Sequence, residues 1–253
     1  MQLLRDAFPD RPAFGTAVSD AILARVARGE LGATVRLHRP GRELALSKQD
    51  RAGPGFDAAV AAGRAAGFEP VLRLAGGRAA AFHEGTLALA WARPEPEPAR
   101  TTRQRFEQVA SAVRDALTSL GIDARVGEIP GEYCPGAWSI NARGQAKLVG
   151  IGQRLIQGAA HVGVVVVVSD PAAIRQLLIP VYEALELDWD PATVGALSEE
   201  TGSVSLGEVE DRLLIELERV AGEPLEPARL DEETLDLAAR LEQEHVLTSA
   251  GAA

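Results

Sequence analysis

The sequence predicts an α+β fold with a mixed, mostly antiparallel central sheet flanked by helices and a helical, acidic C-terminal extension. Two observations carry this prediction. Apolar residues at helical spacing alternate along the chain with short runs typical of strands. Four such runs also follow one another between residues 122 and 169, separated only by short turns containing Gly, Pro or Asn. Strands joined by such short turns pair antiparallel, which gives the sheet its expected character.

The helices follow from apolar stripes and from their start and stop residues. Gly67 and Gly121 end two of the stripes, as glycine commonly does after a helix. The pattern Ser205-x-x-Glu208 is a capping box, which starts a helix. Helices are therefore expected over residues 14–28, 57–66, 101–120 and 170–187, with two acidic helices starting after Ser205 and at Asp231.

The strands follow from alternating or continuous apolar runs bounded by turn residues. The strand at 43–46 is expected to neighbour the one at 34–39, and the alternating prolines of 93–100 end the strand before them. Strands are expected over residues 34–39, 43–46, 69–74, 85–92, 122–127, 137–142, 146–157 and 160–169.

Composition excludes several classes of protein. The 253 residues are 46% hydrophobic and 25% charged, which is average for soluble domains and unlike collagen-like, disordered or coiled-coil chains. The longest apolar run, residues 162–168, is far shorter than a membrane span, and Met1 is not followed by a basic leader with an apolar stretch. A cytoplasmic protein without a membrane partner is expected.

Charge is unevenly distributed along the chain. The net charge is −10, but residues 1–154 hold 21 Lys and Arg against 16 Asp and Glu, whereas residues 155–253 hold 5 against 20. Only the first part is basic, and mildly so, and aromatic residues make up only 4% of the chain. A nucleic-acid partner is therefore not expected.

Lysine is scarce among the 26 basic residues, of which only Lys48 and Lys147 are lysines. A lysine retained in such a chain is favoured where a compact ammonium is needed, because the planar guanidinium of Arg cannot replace it. Lys48 stands in a polar stretch, where a solvated loop lysine is the expected interpretation. Lys147 stands between a Gly-containing turn and an apolar run, so it is the candidate for a specific role.

A glycine pair at a strand end forms the first candidate site. Gly76 and Gly77 let the backbone approach a ligand closely, and Arg73, Arg78 and His83 lie near enough in sequence to contact a carboxylate or phosphate. The alternative interpretations are an ordinary tight turn and a hydrogen-bonded structural histidine.

The single cysteine forms the second candidate site. Cys134 excludes an internal disulfide and an all-cysteine metal site, and it lies in a loop rich in Gly and Pro, where a nearby cation would favour the nucleophilic thiolate. Lys147 is a chemically sensible partner, with Gly150 and Gly152 keeping one face of its strand open to a ligand. The alternatives are an inert, half-buried thiol and a surface lysine at a strand edge.

Together these motifs resemble the biotin/lipoate protein ligase superfamily, which includes lipoate-protein ligases and octanoyltransferases. The family combines an Arg-x-x-Gly-Gly segment that precedes a His and an acidic residue with a Lys-x-x-Gly-x-x-Gln segment and a later His-Gly. The similarity covers roughly residues 10–185. The matching residues are Arg73, Gly76, Gly77, His83, Glu84, Lys147, Gly150, Gln153, Arg154, His161 and Gly163.

The resemblance implies a lipoate-pathway acyltransferase. Cys134 has the position of the cysteine that carries the acyl thioester in one octanoyltransferase branch, and Lys147 that of the lysine that binds the acyl carbonyl. The implied donor is acyl carrier protein, and the implied acceptor is a lysine of a lipoyl domain, such as glycine cleavage H protein or a dehydrogenase E2 subunit. No cofactor or metal is implied. The implied substrate-binding residues are Arg73, Gly76, Gly77, Arg78, His83, Gly150, Gln153 and His161.

Other activities fit the same resemblance. An ATP-dependent lipoate-protein ligase would use ATP and Mg to form an acyl-adenylate from free lipoate or octanoate and would not need Cys134. A non-catalytic lipoyl- or acyl-binding paralogue is the other alternative, because the glycine segment is altered: Ala75 replaces the usual Ser or Thr, and Arg78 replaces the third glycine. Biotin ligation fits less well, since no biotin-type glycine-rich motif or DNA-binding extension is evident.

The resemblance also predicts organisation and mechanism. Residues 1–190 form the acyltransferase or ligase catalytic domain, residues 191–253 form the helical extension, and the protein is expected to be a monomer. The acyl chain lies along the valine-rich strand at 162–168, Cys134 forms the acyl-enzyme and Lys147 stabilises the oxyanion. Acidic carrier proteins should dock on basic residues of the N-terminal part. The candidates for docking are Arg36, Arg39, Arg42 and Arg51.

Overall fold

Strands and helices interleave along the chain, and the computed structural model describes residues 1–248. Within this range the strands are β1 (Gln2–Leu4), β2 (Thr34–His38), β3 (Glu43–Leu46), β4 (Glu69–Leu72), β5 (Ala80–Phe82), β6 (Thr86–Pro94), β7 (Ala124–Val126), β8 (Ile140–Ala142), β9 (Ala146–Ile156), β10 (Ala159–Val167) and β11 (Glu226–Ala228). The helices are α1 (Pro12–Ala27), α2 (Lys48–Arg51), α3 (Phe56–Ala65), α4 (Thr102–Ser119), α5 (Pro171–Ala184), α6 (Leu197–Thr201), α7 (Leu206–Ala221) and α8 (Glu232–His245), with one 3-10 turn at Pro191–Thr193.

The main sheet has eight strands in the order β11-β1-β2-β6-β10-β9-β8-β7. From β2 to β7 every neighbouring pair is antiparallel, while β1 runs parallel to both β2 and β11. The predicted α+β class, with a mixed and mostly antiparallel sheet flanked by helices, is confirmed.

A tight hairpin joins the two long central strands, β9 and β10. The register places Ile156 opposite Ala159, which leaves two residues for the turn. Gly158 has a φ of +85°, and a Cβ at this position would lie 3.1 Å from the carbonyl oxygen of Ala27. Glycine is required here both by the left-handed backbone and by the close approach of α1.

A second, three-stranded sheet has the order β4-β3-β5. The expectation that residues 43–46 pair with residues 34–39 is wrong, because β3 pairs with β4 and β5 while β2 pairs with β1 and β6. The alternation within each strand was visible in the sequence. The partner was not, because strand pairing depends on contacts distant along the chain.

The two faces of the main sheet differ in character. On one face the apolar stripes of α4 and α7 pack on alternate residues of the central strands, among them Leu37, Leu89 and Val164, in one continuous core. On the other face, α1 buries its stripe near the β9–β10 hairpin, and the small sheet with α5 covers the remainder. A strip of this second face between α1 and the small sheet is left for the site.

The C-terminal segment contacts the rest of the fold at several places. β11 extends the edge of the main sheet beside β1, α7 packs against α4, and α8 packs against α1. The capping box at Ser205 and the Asp231 cap start α7 and α8 as expected. The division of the chain at residue 190 stays a prediction, and residues 249–253 of the expected extension lie outside the described residues.

Candidate active site

A cavity of about 170 Å³ lies between the second face of the main sheet, α1 and the small sheet. Its floor consists of small residues on three adjacent strands: Ala88 and Ala90 on β6, Gly163 on β10 and Gly150 on β9. The register sets Gly163 opposite Ala90, and the absence of larger side chains there creates the space. Such a slot fits an extended, unbranched chain.

The loop between β7 and β8 carries the thiol and is held together by one buried carboxylate. Glu132 accepts hydrogen bonds from the backbone N–H groups of Ile129 (3.1 Å) and Gly136 (3.3 Å) and from the Ser139 hydroxyl (2.6 Å). Its fourth donor is the Lys147 ammonium at 2.9 Å. A buried charge with this many partners fixes the loop in one conformation.

Lys147 has a positioning role in this arrangement. Its side chain is 1% exposed, and Nζ donates to Glu132 Oε1 (2.9 Å), to the Tyr133 carbonyl (2.9 Å) and to the Cys134 carbonyl (2.8 Å). The alternative of a surface lysine at a strand edge is therefore wrong. All three protons of the ammonium have acceptors in this arrangement, and the expectation that it stabilises an oxyanion stays a prediction.

Cys134 has a strained backbone that turns its side chain to the cavity wall. Its φ is +43°, in the left-handed region that L-residues rarely adopt. Its N–H donates to the Tyr182 hydroxyl at 2.7 Å, and that hydroxyl donates to the Ala79 carbonyl at 2.9 Å. Burial raises the pKa of Tyr182 well above its ordinary value, so the hydroxyl keeps the proton that it donates.

The sulfur of Cys134 is surrounded by hydrogen-bond donors from the glycine segment. The Arg78 N–H lies 3.2 Å from Sγ, and Nη1 of Arg73 lies 3.6 Å from it. Arg73 is held in place by a 2.8 Å bond to the Arg78 carbonyl. Gly77, with a φ of +122°, must be glycine because a Cβ there would lie 2.8 Å from Sγ. The sulfur therefore has one guanidinium and one amide N–H as hydrogen-bond donors.

Most of the sequence-predicted residues meet at this cavity. Arg78 reaches the sulfur through its backbone, while its guanidinium lies 3.4 Å from Asp50. The predicted residues that line the cavity are Arg73, Gly76, Gly77, Cys134, Lys147, Gly150 and His161.

His83 and Gln153 lie elsewhere. His83 is buried, and its Nδ1 accepts from the Gly85 N–H at 3.0 Å. The side chain of Gln153 bonds Arg105 and the Thr102 carbonyl, both at 2.9 Å. These partners give both side chains a structural place away from the cavity wall, contrary to the expected substrate contact.

The end of the cavity over β2 is polar. Arg36 and His38 lie on β2, and the order β2-β6-β10-β9 places two strands between them and β9, whose Lys147 contacts the Cys134 carbonyl. Four side chains form this polar end: Arg36, His38, Ser19, whose hydroxyl bonds Arg36, and His161, which is within electrostatic range of Arg36. Glu43 also lines the cavity, within electrostatic range of both Arg36 and Arg73. Arg36 is 1% exposed, so its expected role in docking a carrier protein is wrong. The alternation of β2 sets Arg36 and His38 on the same face, which is the indication that the sequence offered.

Burial sets the protonation of the polar end. It lowers the pKa of His161 to about 4 and that of His38 well below its ordinary value, so both imidazoles are neutral at pH 7. Burial likewise lowers the pKa of Arg36 to about 10, which leaves the guanidinium charged. The pKa of the Glu43 carboxyl is raised by burial to about 7.

Within residues 1–248, no helix is long and apolar enough to cross a bilayer. The same residues contain no group of three or more His, Cys, Asp or Glu side chains that could hold a metal ion.

Two solved lipoate-protein ligase structures share this fold. Lipoate-protein ligase A bound with ATP matches with a TM-score of 0.78 at 20% identity, covering 96% of this chain and 94% of that one. A lipoate protein ligase from T. acidophilum with bound lipoic acid matches with a TM-score of 0.76 at 20% identity, covering 96% and 95%. These likenesses show that the chain has the lipoate-protein ligase fold.

The sequence relatives carry a more specific name than the solved structures do. Octanoyl-[GcvH]:protein N-octanoyltransferase of Geobacillus kaustophilus is 31% identical over 163 residues, which cover 64% of this chain and 57% of that protein. The Oceanobacillus iheyensis protein of the same name is 25% identical over 238 residues, covering 90% and 85%. The match to the first relative thus spans less than two thirds of its length. Residues 11–218 match the Lipoyl protein ligase A/B catalytic domain, and the chain belongs to this family.

Proposed function

We propose that this chain transfers an octanoyl-type acyl group to a lysine of a lipoyl carrier domain through a thioester on Cys134. The observation that carries the proposal is the sulfur, which lies at a narrow cavity between the Arg78 N–H and the Arg73 guanidinium. Both donors point at the sulfur that would carry the acyl group, and the cavity floor of small residues leaves room beside it for an acyl chain.

The chemistry has two steps. The Cys134 thiolate attacks the acyl carbon on the donor carrier, so that a new C–S bond forms and the bond from that carbon to the carrier breaks. The proton that the Cys134 thiol gave up goes to the departing donor, which leaves as a thiol, or as an amine if its linkage is an amide. The neutral amine of the acceptor lysine then attacks the thioester, a C–N bond forms, the C–S bond breaks, and the amine's proton passes to the departing thiolate.

Lys147 and Glu132 serve this chemistry by holding the loop. The ammonium bonds the two carbonyls on either side of the Tyr133–Cys134 peptide, and the carboxylate bonds the loop's N–H groups. The strained Cys134 backbone therefore stays in place without substrate.

Two donors are to be compared. Octanoylated GcvH comes from the relatives' names, which describe octanoyl transfer from octanoyl-GcvH to a protein. Acyl carrier protein is the donor implied by the family resemblance. Arg39 and Arg42 are about half exposed and belong to the basic part of the chain, although each contacts one carboxylate, Glu210 and Glu84 respectively. With Arg51, which is also exposed, they remain the candidates for docking an acidic carrier.

The test is intact-protein mass spectrometry after mixing the protein with octanoyl-acyl carrier protein or octanoyl-GcvH, followed by addition of an unmodified lipoyl domain. A hydroxylamine-labile octanoyl adduct on the wild type, absent from Cys134→Ala, is expected with at least one donor. Lys147→Met should lose the adduct, whereas Lys48→Met, which changes the chain's exposed lysine, should keep it.

Three outcomes would overturn the proposal. Full turnover by Cys134→Ala would exclude the thioester route. Transfer only with ATP, Mg²⁺ and free lipoate or octanoate would place the chain among the ligases. Stabilisation by octanoate without transfer from either donor or from ATP would make it an acyl-binding protein.

A further inference from the structure

The polar end of the cavity does not match the methyl end of a plain octanoyl chain. A cavity for an unsubstituted acyl tail should be apolar where the tail ends, because buried polar groups facing a methyl group lose the hydrogen bonds they would make in water. Here the end over β2 instead carries the Arg36 guanidinium and the imidazoles of His38 and His161.

Arg36 is the clearest anomaly. Its Nε donates to the Asp6 carbonyl (3.0 Å), and its Nη1 donates to the Gly15 carbonyl (2.7 Å) and the Ser19 hydroxyl (3.1 Å). These acceptors are all neutral, and the buried Nη2 has no partner. The guanidinium is thus 1% exposed without an anion in contact.

Two other buried arginines, Arg25 and Arg105, contact carboxylates. Arg25, 4% exposed, contacts Asp231 at 2.5 Å and Glu233 at 2.7 Å. Arg105, 0% exposed, lies 3.3 Å from Glu95. A buried guanidinium without a contacting carboxylate is costly, since desolvation is not offset by an ion pair. Arg36 therefore stands out in the described part of the chain as a buried cation that lacks a contacting anion.

Two histidines add unpartnered atoms around the same space. Nδ1 of His38 and Nδ1 of His161 are buried and have no hydrogen-bond partner among the described residues. Their strands, β2 and β10, flank β6 on either side. The small side chains of Ala88 and Ala90 lie between these two strands, so a group placed over β6 has Arg36 and His38 on one side and His161 on the other.

We infer that the acyl group held in this cavity carries an oxygen function, best a carboxylate, at the end remote from the thioester. The inference rests on the proposed acyl transfer and names its substrate class: a medium-length acyl chain with an ω-carboxylate or ω-hydroxyl. That oxygen accepts from Arg36 Nη2, and the neutral imidazoles supply further N–H donors.

The carboxyls of Asp6 and Glu43 both lie within electrostatic range of Arg36 and oppose a bound anion. Arg73 and His245 also lie within electrostatic range of the Glu43 carboxyl. Burial raises the pKa of Glu43 to about 7, which reduces its negative charge near neutrality. The carboxylate of Asp20 on α1 lies within electrostatic range of His161.

The test compares three small esters on the Cys134→Ser protein by calorimetry. Methyl octanoate, methyl 8-hydroxyoctanoate and monomethyl octanedioate share a neutral ester head in place of the thioester and differ only at the far end. At least one oxygenated ester should bind about tenfold or more tightly than methyl octanoate, the ratio expected from one charge-assisted hydrogen bond. Equal or tighter binding of methyl octanoate would overturn the inference.

A second comparison tests whether Arg36 causes the preference for an oxygenated ester. Arg36→Met should abolish the preference or reverse it towards methyl octanoate, whereas Arg25→Met, which removes a buried arginine outside the cavity, should keep the wild-type ratio. A ratio unchanged by Arg36→Met would also overturn the inference. If Arg36→Met does not fold, the wild-type comparison still decides. Because binding is measured without turnover, failure of acyl transfer and failure of ω-oxygen selection give separate results.

Discussion

The buried pair of Glu132 and Lys147 should be the most sensitive point of the active-site loop. Their side chains are 0% and 1% exposed and lie 2.9 Å apart. Glu132→Ala leaves the ammonium without its anion and removes the acceptor of the Ser139 hydroxyl and of two loop N–H groups. Breaking a buried pair in this way costs about 3–5 kcal/mol, or roughly 6–20 °C in Tm for a chain of this length.

Urea and thermal denaturation of the variant would measure this loss. Glu132→Gln should lose less, because one oxygen acceptor remains for Lys147. The double variant Glu132→Ala/Lys147→Met should be more stable than the sum of the single losses predicts, since it leaves no unpaired charge. Glu107→Ala, which breaks an exposed ion pair with Arg103, is the matched control and should leave the midpoint unchanged.

The acyl-enzyme assay links the same variant to function. Once the loop loosens, Cys134 is free to leave its strained conformation, and the octanoyl adduct should form much more slowly even at temperatures where the variant is folded. A loss below about 1 kcal/mol, or additive single losses, would refute the argument that this pair holds the loop.

Three further predictions concern single positions. Gly77→Ala should slow adduct formation at least tenfold, because its Cβ meets the sulfur and its φ is +122°, whereas Gly76→Ala, with open space around its Cβ, should react normally in the same mass assay. Gly158→Ala should cost about 1–3 kcal/mol in urea denaturation, since its φ is +85°. The Arg25 hydrogen bond lowers the pKa of Asp231 to about 2 from 3.8, so this pairing stabilises the fold above about pH 4 and is lost as pH falls through 2. Arg25→Met should therefore be less stable at pH 7, with the difference from wild type shrinking between about pH 4 and pH 2 in a pH series of denaturation curves.

Local patterns predicted most of the elements, because helices and hairpins depend on neighbours in sequence. The stripes of α1 and α4 face the core as expected, and α7 starts at its capping box. The short strands β1 and β11 gave no pattern of their own and exist because each lies beside the other at the sheet edge. Their three-residue lengths are too short for alternation to be recognised.

The candidate site was predictable where chemistry restricts the residue type. The scarcity of lysine in an arginine-rich chain singled out Lys147, and the structure shows why a lysine stands there: three acceptors converge on one compact ammonium. The planar fork of an arginine directs its donors outward in one plane and would not meet these acceptors. The convergence itself was not predictable, since it needs the loop between β7 and β8 to fold over β9.

The polar end of the cavity was missed because alternation identifies the two faces of a strand without telling what covers the polar one. In β2, Val35 and Leu37 face the apolar core, so Arg36, a docking candidate, was expected on the outer face, which His38 shares. The small sheet and α1 cover that face instead, and only the small side chains of the neighbouring strands keep a space open beneath them. The fold buries this polar face of β2 and leaves Arg36 Nη2 and His38 Nδ1 without partners, a cost that the same residues would not have in water. We therefore propose the thiol end of the cavity as the place of reaction and the buried face of β2 as the part that selects the acyl chain.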